Sequence, residues 1–179
     1  GHSIMLKAWK NLLNTECIVI KVGNHYVYPI YRNGSTSLFD SRTESYRDHE
    51  IENLEDIQIL IRDPKDRFIS GIKQYGFFNN IEPQQVWQDA KSGRLVDRHF
   101  APQAMWLVHL FKFYKGMVTL RHFDYIKELT PKHYETFKKD KASVEIIKDF
   151  VNMDYKILPL IDKTVKLGEI IKEIRHELS

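Results

Sequence analysis

The sequence predicts an α/β fold built on an open, largely parallel sheet. Three observations lead there. Cys17 to Val22, His25 to Tyr31, Ile57 to Ile61 and Met117 to Leu120 are apolar runs of strand length. Segments with helical spacing separate most of them. Two of the runs lead straight into helix starts, at Ser35 and at Pro64, which is the alternation expected of parallel strand–helix units.

The elements follow in order. Residues 4–13 place Ile4, Leu6, Trp9, Leu12 and Leu13 at helical spacing. Cys17 to Val22 reads as a strand, Gly23-Asn24 as a turn and His25 to Tyr31 as a second strand. The Asn-Gly-Ser-Thr loop then opens a helix near residues 35–44. Ile57 to Ile61 suits one buried strand. Pro64 sits at a favoured first-turn position with Asp63 as candidate N-cap, and this helix runs to about Tyr75. Residues 76–98 are polar, contain Pro83 and Gly93, and hold a short helix around 84–90. Pro102 starts a helix through Met105, Leu107, Leu110, Phe111 and Tyr114. Met117 to Leu120 is a strand, and 123–129, 131–139, 143–152 and 166–178 read as helices. No repeat or low-complexity segment interrupts the chain.

Its 179 residues suit a single domain, 1–179, with one core; Gly1-His2 reads as a tag remnant. A hydrophobic fraction of 42% and a charged fraction of 28% are those of a soluble globular protein. The net charge of +3 does not point to nucleic acid, for which a dense basic stripe is expected. It suits an anionic ligand at a local site. The single cysteine, Cys17, reads as a buried strand residue. No run reaches membrane-spanning length and no secretory signal is visible, so the expectation is a cytoplasmic protein or one trimmed of an anchor.

Chemistry concentrates in two stretches. Tyr28-Pro-Ile-Tyr-Arg-Asn-Gly-Ser-Thr-Ser-Leu38 and Ile59-Leu-Ile-Arg-Asp-Pro-Lys-Asp-Arg-Phe-Ile-Ser-Gly71 each carry an apolar strand into a helix start, with Arg and hydroxyl residues at the turn. Backbone N–H groups at a helix start, a cation and hydroxyl donors together bind anions. Two such elements suggest a ligand with two separated anionic groups, such as a nucleotide phosphorylated at both ends.

This pairing resembles the sulfotransferases that use 3'-phosphoadenosine 5'-phosphosulfate (PAPS). Arg32, Asn33, Gly34, Ser35, Thr36 and Ser37 match that family's phosphosulfate loop. Arg62, Asp63, Pro64, Arg67 and Ser70 match its 3'-phosphate element. Asp97-Arg-His-Phe-Ala-Pro-Gln103 is similar to a segment of the carbohydrate, heparan-sulfate-type branch. The resemblance spans roughly residues 17–125. It implies a three-layer α/β fold with a mainly parallel central sheet, a P-loop-like strand–loop–helix, PAPS as sulfuryl donor, a carbohydrate or other hydroxyl acceptor, and no metal. Arg62 and Ser70 then bind the 3'-phosphate. Arg32 stands where the family usually has Lys; it keeps the charge and adds a planar fork.

A general base must reach the acceptor hydroxyl. The segment between the two elements offers Glu44, His49, Glu50 and Glu52, and His49, beside Asp48 and Glu50, ranks first there. His99 of the third stretch is second. Arg67 has two readings, an ion pair with Asp63 or a ligand contact. Lys163 and Lys166 either close over the nucleotide or form a solvated approach to a helix. Tyr75, Phe77, Phe78, Phe100, Trp87 and Trp106 divide between core and a platform for adenine or sugar. Two rival functions remain: a catalytically impaired nucleotide-binding homologue, and a nucleotide-dependent phosphotransferase. The latter needs ATP and a magnesium ligand set that the sequence does not display, and there is no Gly-x-x-x-x-Gly-Lys-Ser/Thr motif.

Overall fold

The computed structural model describes residues 13–132 and 148–178. The helix expected over 4–13 lies outside that range apart from Leu13, and the one over 131–139 apart from its first two residues. Six strands form one open sheet: β1 Ile18–Val22, β2 His25–Tyr28, β3 Glu44–Arg47, β4 Ile57–Ile61, β5 Met117–His122 and β6 Thr164–Lys166. The described α-helices are α1 Ser35–Asp40, α2 Pro64–Asn79, α3 Pro83–Lys91, α4 Gln103–Phe111, α5 Ile126–Leu129, α6 Lys148–Tyr155 and α7 Leu167–Leu178, and a short 3-10 helix, Asp48–Ile51, follows β3. None of them is long and apolar enough to cross a membrane.

The sheet order is β3-β1-β2-β4-β5-β6. It is mixed, which corrects the expectation of a mainly parallel sheet. Only β2–β4 and β4–β5 pair in parallel; β1–β2, β1–β3 and β5–β6 are antiparallel. The tight turn at Gly23, whose φ is 59°, leaves β1 and β2 no geometry but a hairpin. The sequence gives no warning of β3 (Glu-Ser-Tyr-Arg) or β6 (Thr-Val-Lys), because edge strands need no apolar alternation when both faces meet water. α1 is shorter than expected. The Thr43 N–H bonds the Lys21 carbonyl at 2.9 Å and draws the chain onto the β1 edge. β2 ends at Tyr28 because Pro29 has no N–H for the ladder.

α2 starts as expected. Pro64 takes the first turn, and the Asp63 carboxylate accepts from Asp66 N at 3.0 Å. It runs one turn past Tyr75 and closes at Asn80 in the left-handed conformation.

β4 is buried along its whole length and feeds both faces of the sheet. Ile57, Ile59 and Ile61 join Val19, Val118 and Leu120 under Phe68 and Ile72 of α2, Leu107 and Leu110 of α4, and Leu167 and Ile170 of α7. Leu60 points the other way, into Ile20, Val22 and Val27 under Leu38 of α1 and Ile126 of α5. Full burial of each such side chain contributes roughly 1.5–3 kcal/mol. This two-sided core fixes β2, β4 and β5, so that the C-terminal ends of neighbouring parallel strands lie side by side.

Candidate functional site

Beyond Tyr28 the chain turns through Tyr31–Gly34 into α1. Arg32 adopts φ 70°, uncommon for a residue with a Cβ, and Gly34 adopts φ 86° immediately before the helix. Such strain collects at ligand clamps and switch regions. Asn33 is fully buried. Its amide donates to the Leu60 carbonyl at 2.9 Å and to Gln103 Oε1 at 2.6 Å, tying the loop to the end of β4. Ser35 and Thr36 are partly or fully open to solvent, while Ser37 is buried on the core side of α1.

The second element touches the first directly. Arg32 Nε donates to Ser70 Oγ at 2.7 Å, and Arg62 Nη1 donates to the Arg32 carbonyl at 2.9 Å. Arg62 is buried, and its guanidinium lies 5.2 Å from the centre of the Phe123 ring, a cation–π contact from the next strand's exit. The structure therefore brings together Arg32, Asn33, Gly34, Arg62 and Ser70. The eight residues expected to bind the donor supply N–H and O–H groups and contain no carboxylate, a donor set that fits an anion.

Arg67 is held by backbone carbonyls rather than by an ion pair with Asp63. It is fully buried and donates to three backbone carbonyls, those of Tyr31 (3.0 Å), Ala101 and Arg98 (3.3 Å). Burial lowers its pKa to about 10, and Asp154 opposes that shift. Arg67 is a strut that pins the loop to the Arg98–Ala101 segment.

That segment carries His99. Asp97 Oδ1 accepts from His99 N at 2.8 Å and lies 2.5 Å from Nδ1. With the carboxylate holding Nδ1–H, Nε2 is left as the basic nitrogen. The segment lies on α2 with no space between: a Cβ on Gly71 would stand 2.0 Å from the His99 carbonyl oxygen. His99 also faces Tyr31, ring centres 5.4 Å apart, beside Arg32. His49 sits elsewhere, exposed on the short helix after β3, its ring edge-on to Phe113 at 5.8 Å.

The aromatic residues divide as the sequence left open. Phe100, Trp87 and Trp106 are core, whereas Phe77 and Phe78 are 78% and 65% exposed. A row of rings runs from Phe78 through His99 and Tyr31 to Trp106, with centres 6.1, 5.4 and 5.0 Å apart. At its inner end is a small, partly open cleft lined by Tyr31, Trp106, Phe39, Arg98 and His109. Lys163 and Lys166 flank and end β6.

Two residues escaped the sequence analysis. Gln103 is fully buried at the start of α4, and Asp154 of α6 meets it there. Gln103 stood in the third motif without a role, and Asp154 carried no signal. Comparison of the chain with family models, with curated proteins and with solved structures gives no match.

Proposed function

We propose that the protein is a sulfotransferase that moves the sulfuryl group of PAPS to a hydroxyl of a carbohydrate acceptor. One observation carries the reading. Two arginine- and hydroxyl-bearing elements at the ends of adjacent parallel strands are joined by the Arg32–Ser70 and Arg62–Arg32 hydrogen bonds. A donor charged at both ends of its nucleoside spans such a pair. The Arg32–Ser37 loop takes the P-loop-like role at the 5' end, and Arg62 with Ser70 takes the 3'-phosphate.

The donor supplies an electrophilic sulfur and a phosphate leaving group. The acceptor oxygen forms the new S–O bond in line as the bond to the bridging oxygen breaks, and adenosine 3',5'-bisphosphate leaves. Arg32 stabilises the charge that develops on that bridging oxygen. His99 Nε2 takes the acceptor proton. We assign the base to His99 ahead of His49 because its ring is oriented by Asp97 and lies against Tyr31, next to Arg32. The outer part of the ring row, exposed Phe78 with half-buried His99 and Tyr31, offers the acceptor sugar apolar faces.

Titration calorimetry with adenosine 3',5'-bisphosphate and AMP tests the reading. Loss of the 3'-phosphate is expected to cost about 1–3 kcal/mol, the scale of charge-assisted hydrogen bonds. Arg62→Ala is expected to abolish that difference while leaving AMP affinity in place. Equal affinity of the native protein for both nucleotides would overturn the assignment.

A further inference from the structure

We propose that Gln103, anchored by Asp154, sets the distance between the two phosphate-binding elements and so couples the binding of the two ends of the donor. This inference rests on the sulfotransferase reading and goes beyond it, to a positioning pair that touches neither phosphate.

The strand ladder cannot do this work. The β2–β4 pairing stops at Tyr28 opposite Ile59, before either arginine is reached, and Pro29 offers no N–H to extend it. From there side chains take over. The Gln103 amide makes four hydrogen bonds, two accepted and two donated, its full ordinary capacity. Oε1 accepts from Asn33 Nδ2 at 2.6 Å and from Arg62 N at 3.0 Å. Nε2 donates to the Arg62 carbonyl at 2.9 Å and to Asp154 Oδ2 at 3.4 Å. Gln103 thus reads both backbone groups of Arg62 as a neighbouring strand would, and holds Asn33 in the same grip.

Asp154 fixes Gln103 in turn. Its carboxylate accepts from the main-chain N–H groups of Gln103 and Ala104, each at 2.9 Å. The start of α4 is thereby capped by a residue from another helix, as an N-cap aspartate would do locally. Gln103 is 0% and Asp154 2% exposed, so no water competes for these bonds. A satisfied amide in that setting shifts only by breaking several bonds together.

A ligand that occupies one element does not depend on the spacing between the two. A ligand that spans both does, because its second contact is intramolecular and gains from a preset distance. The experiment compares 5'-AMP, 3'-AMP and adenosine 3',5'-bisphosphate on the native chain, on Gln103→Met and on Asp154→Asn, with melting temperature followed for each. Methionine keeps the volume and removes all four bonds. Asparagine leaves the Gln103 amide in place and loosens its anchor, which keeps a test available should the methionine variant not fold. Bisphosphate affinity is expected to fall about tenfold or more while each monophosphate changes less than about twofold. Equal losses for all three nucleotides, or no loss in a folded variant, would overturn the coupling and leave the donor assignment standing. A native chain without preference for the bisphosphate would reject both.

Discussion

His99 and His49 differ in what holds their rings. Asp97 and Tyr31 fix His99, whereas the described ring contact of His49 is with Phe113, two residues past the end of α4. If the proposed sulfuryl transfer holds, His99→Ala is expected to lower turnover by about 10²–10⁴-fold, while His49→Ala leaves it near the native rate. The reverse result would move the base to His49. At this scale the sequence was informative wherever the signal was local. Arg32, Gly34, Arg62 and Ser70 stand at strand-to-helix junctions that composition alone marks. Gln103 was illegible for the opposite reason: its partners lie 41, 51 and 70 positions away, and its type, a polar residue opening a helix, is ordinary until its burial is known.

Among the elements, α2 does more than carry Ser70. Its Gly71 lets the helix lie directly on the backbone of His99 and Phe100, with a would-be Cβ at 2.0 and 2.9 Å from atoms that cannot rotate away. Gly71→Ala gains helix propensity, a small effect, against an overlap with main-chain atoms. The expected net loss is about 1–3 kcal/mol in urea unfolding. An unchanged unfolding midpoint would show that the two backbones separate at no cost. The helices and the buried strand β4 were readable because periodicity and length suffice for them. β3 and β6 were not, since four and three residues at a sheet edge carry no period. The mistaken parallel sheet follows from those omissions, both of which add antiparallel pairs.

For the molecule as a whole, Asp154 links stability to pH. Burial raises its carboxyl from 3.8 to about 6, against the pull of the Ala104 N–H, of Arg67 and of Gln103. Between those two values the folded chain keeps a proton that the unfolded chain has released. The Asp154 contribution therefore falls as pH rises through this window and returns on acidification. Urea midpoints measured across it are expected to decline for the native chain relative to Asp154→Asn, and parallel curves would mean that the carboxyl titrates as in the unfolded chain. The placement of Asp154 also has a bearing on biogenesis. Both elements proposed to bind phosphate, and Gln103, lie within the first 103 residues, yet the carboxylate that locks α4 belongs to a helix synthesised about fifty residues later. During translation the nascent chain thus presents the Arg32 loop and the Arg62 turn before it can hold them in register. The clasp on these elements arrives late, when α6 docks, and a ribosome stalled before residue 154 would carry a sheet without it.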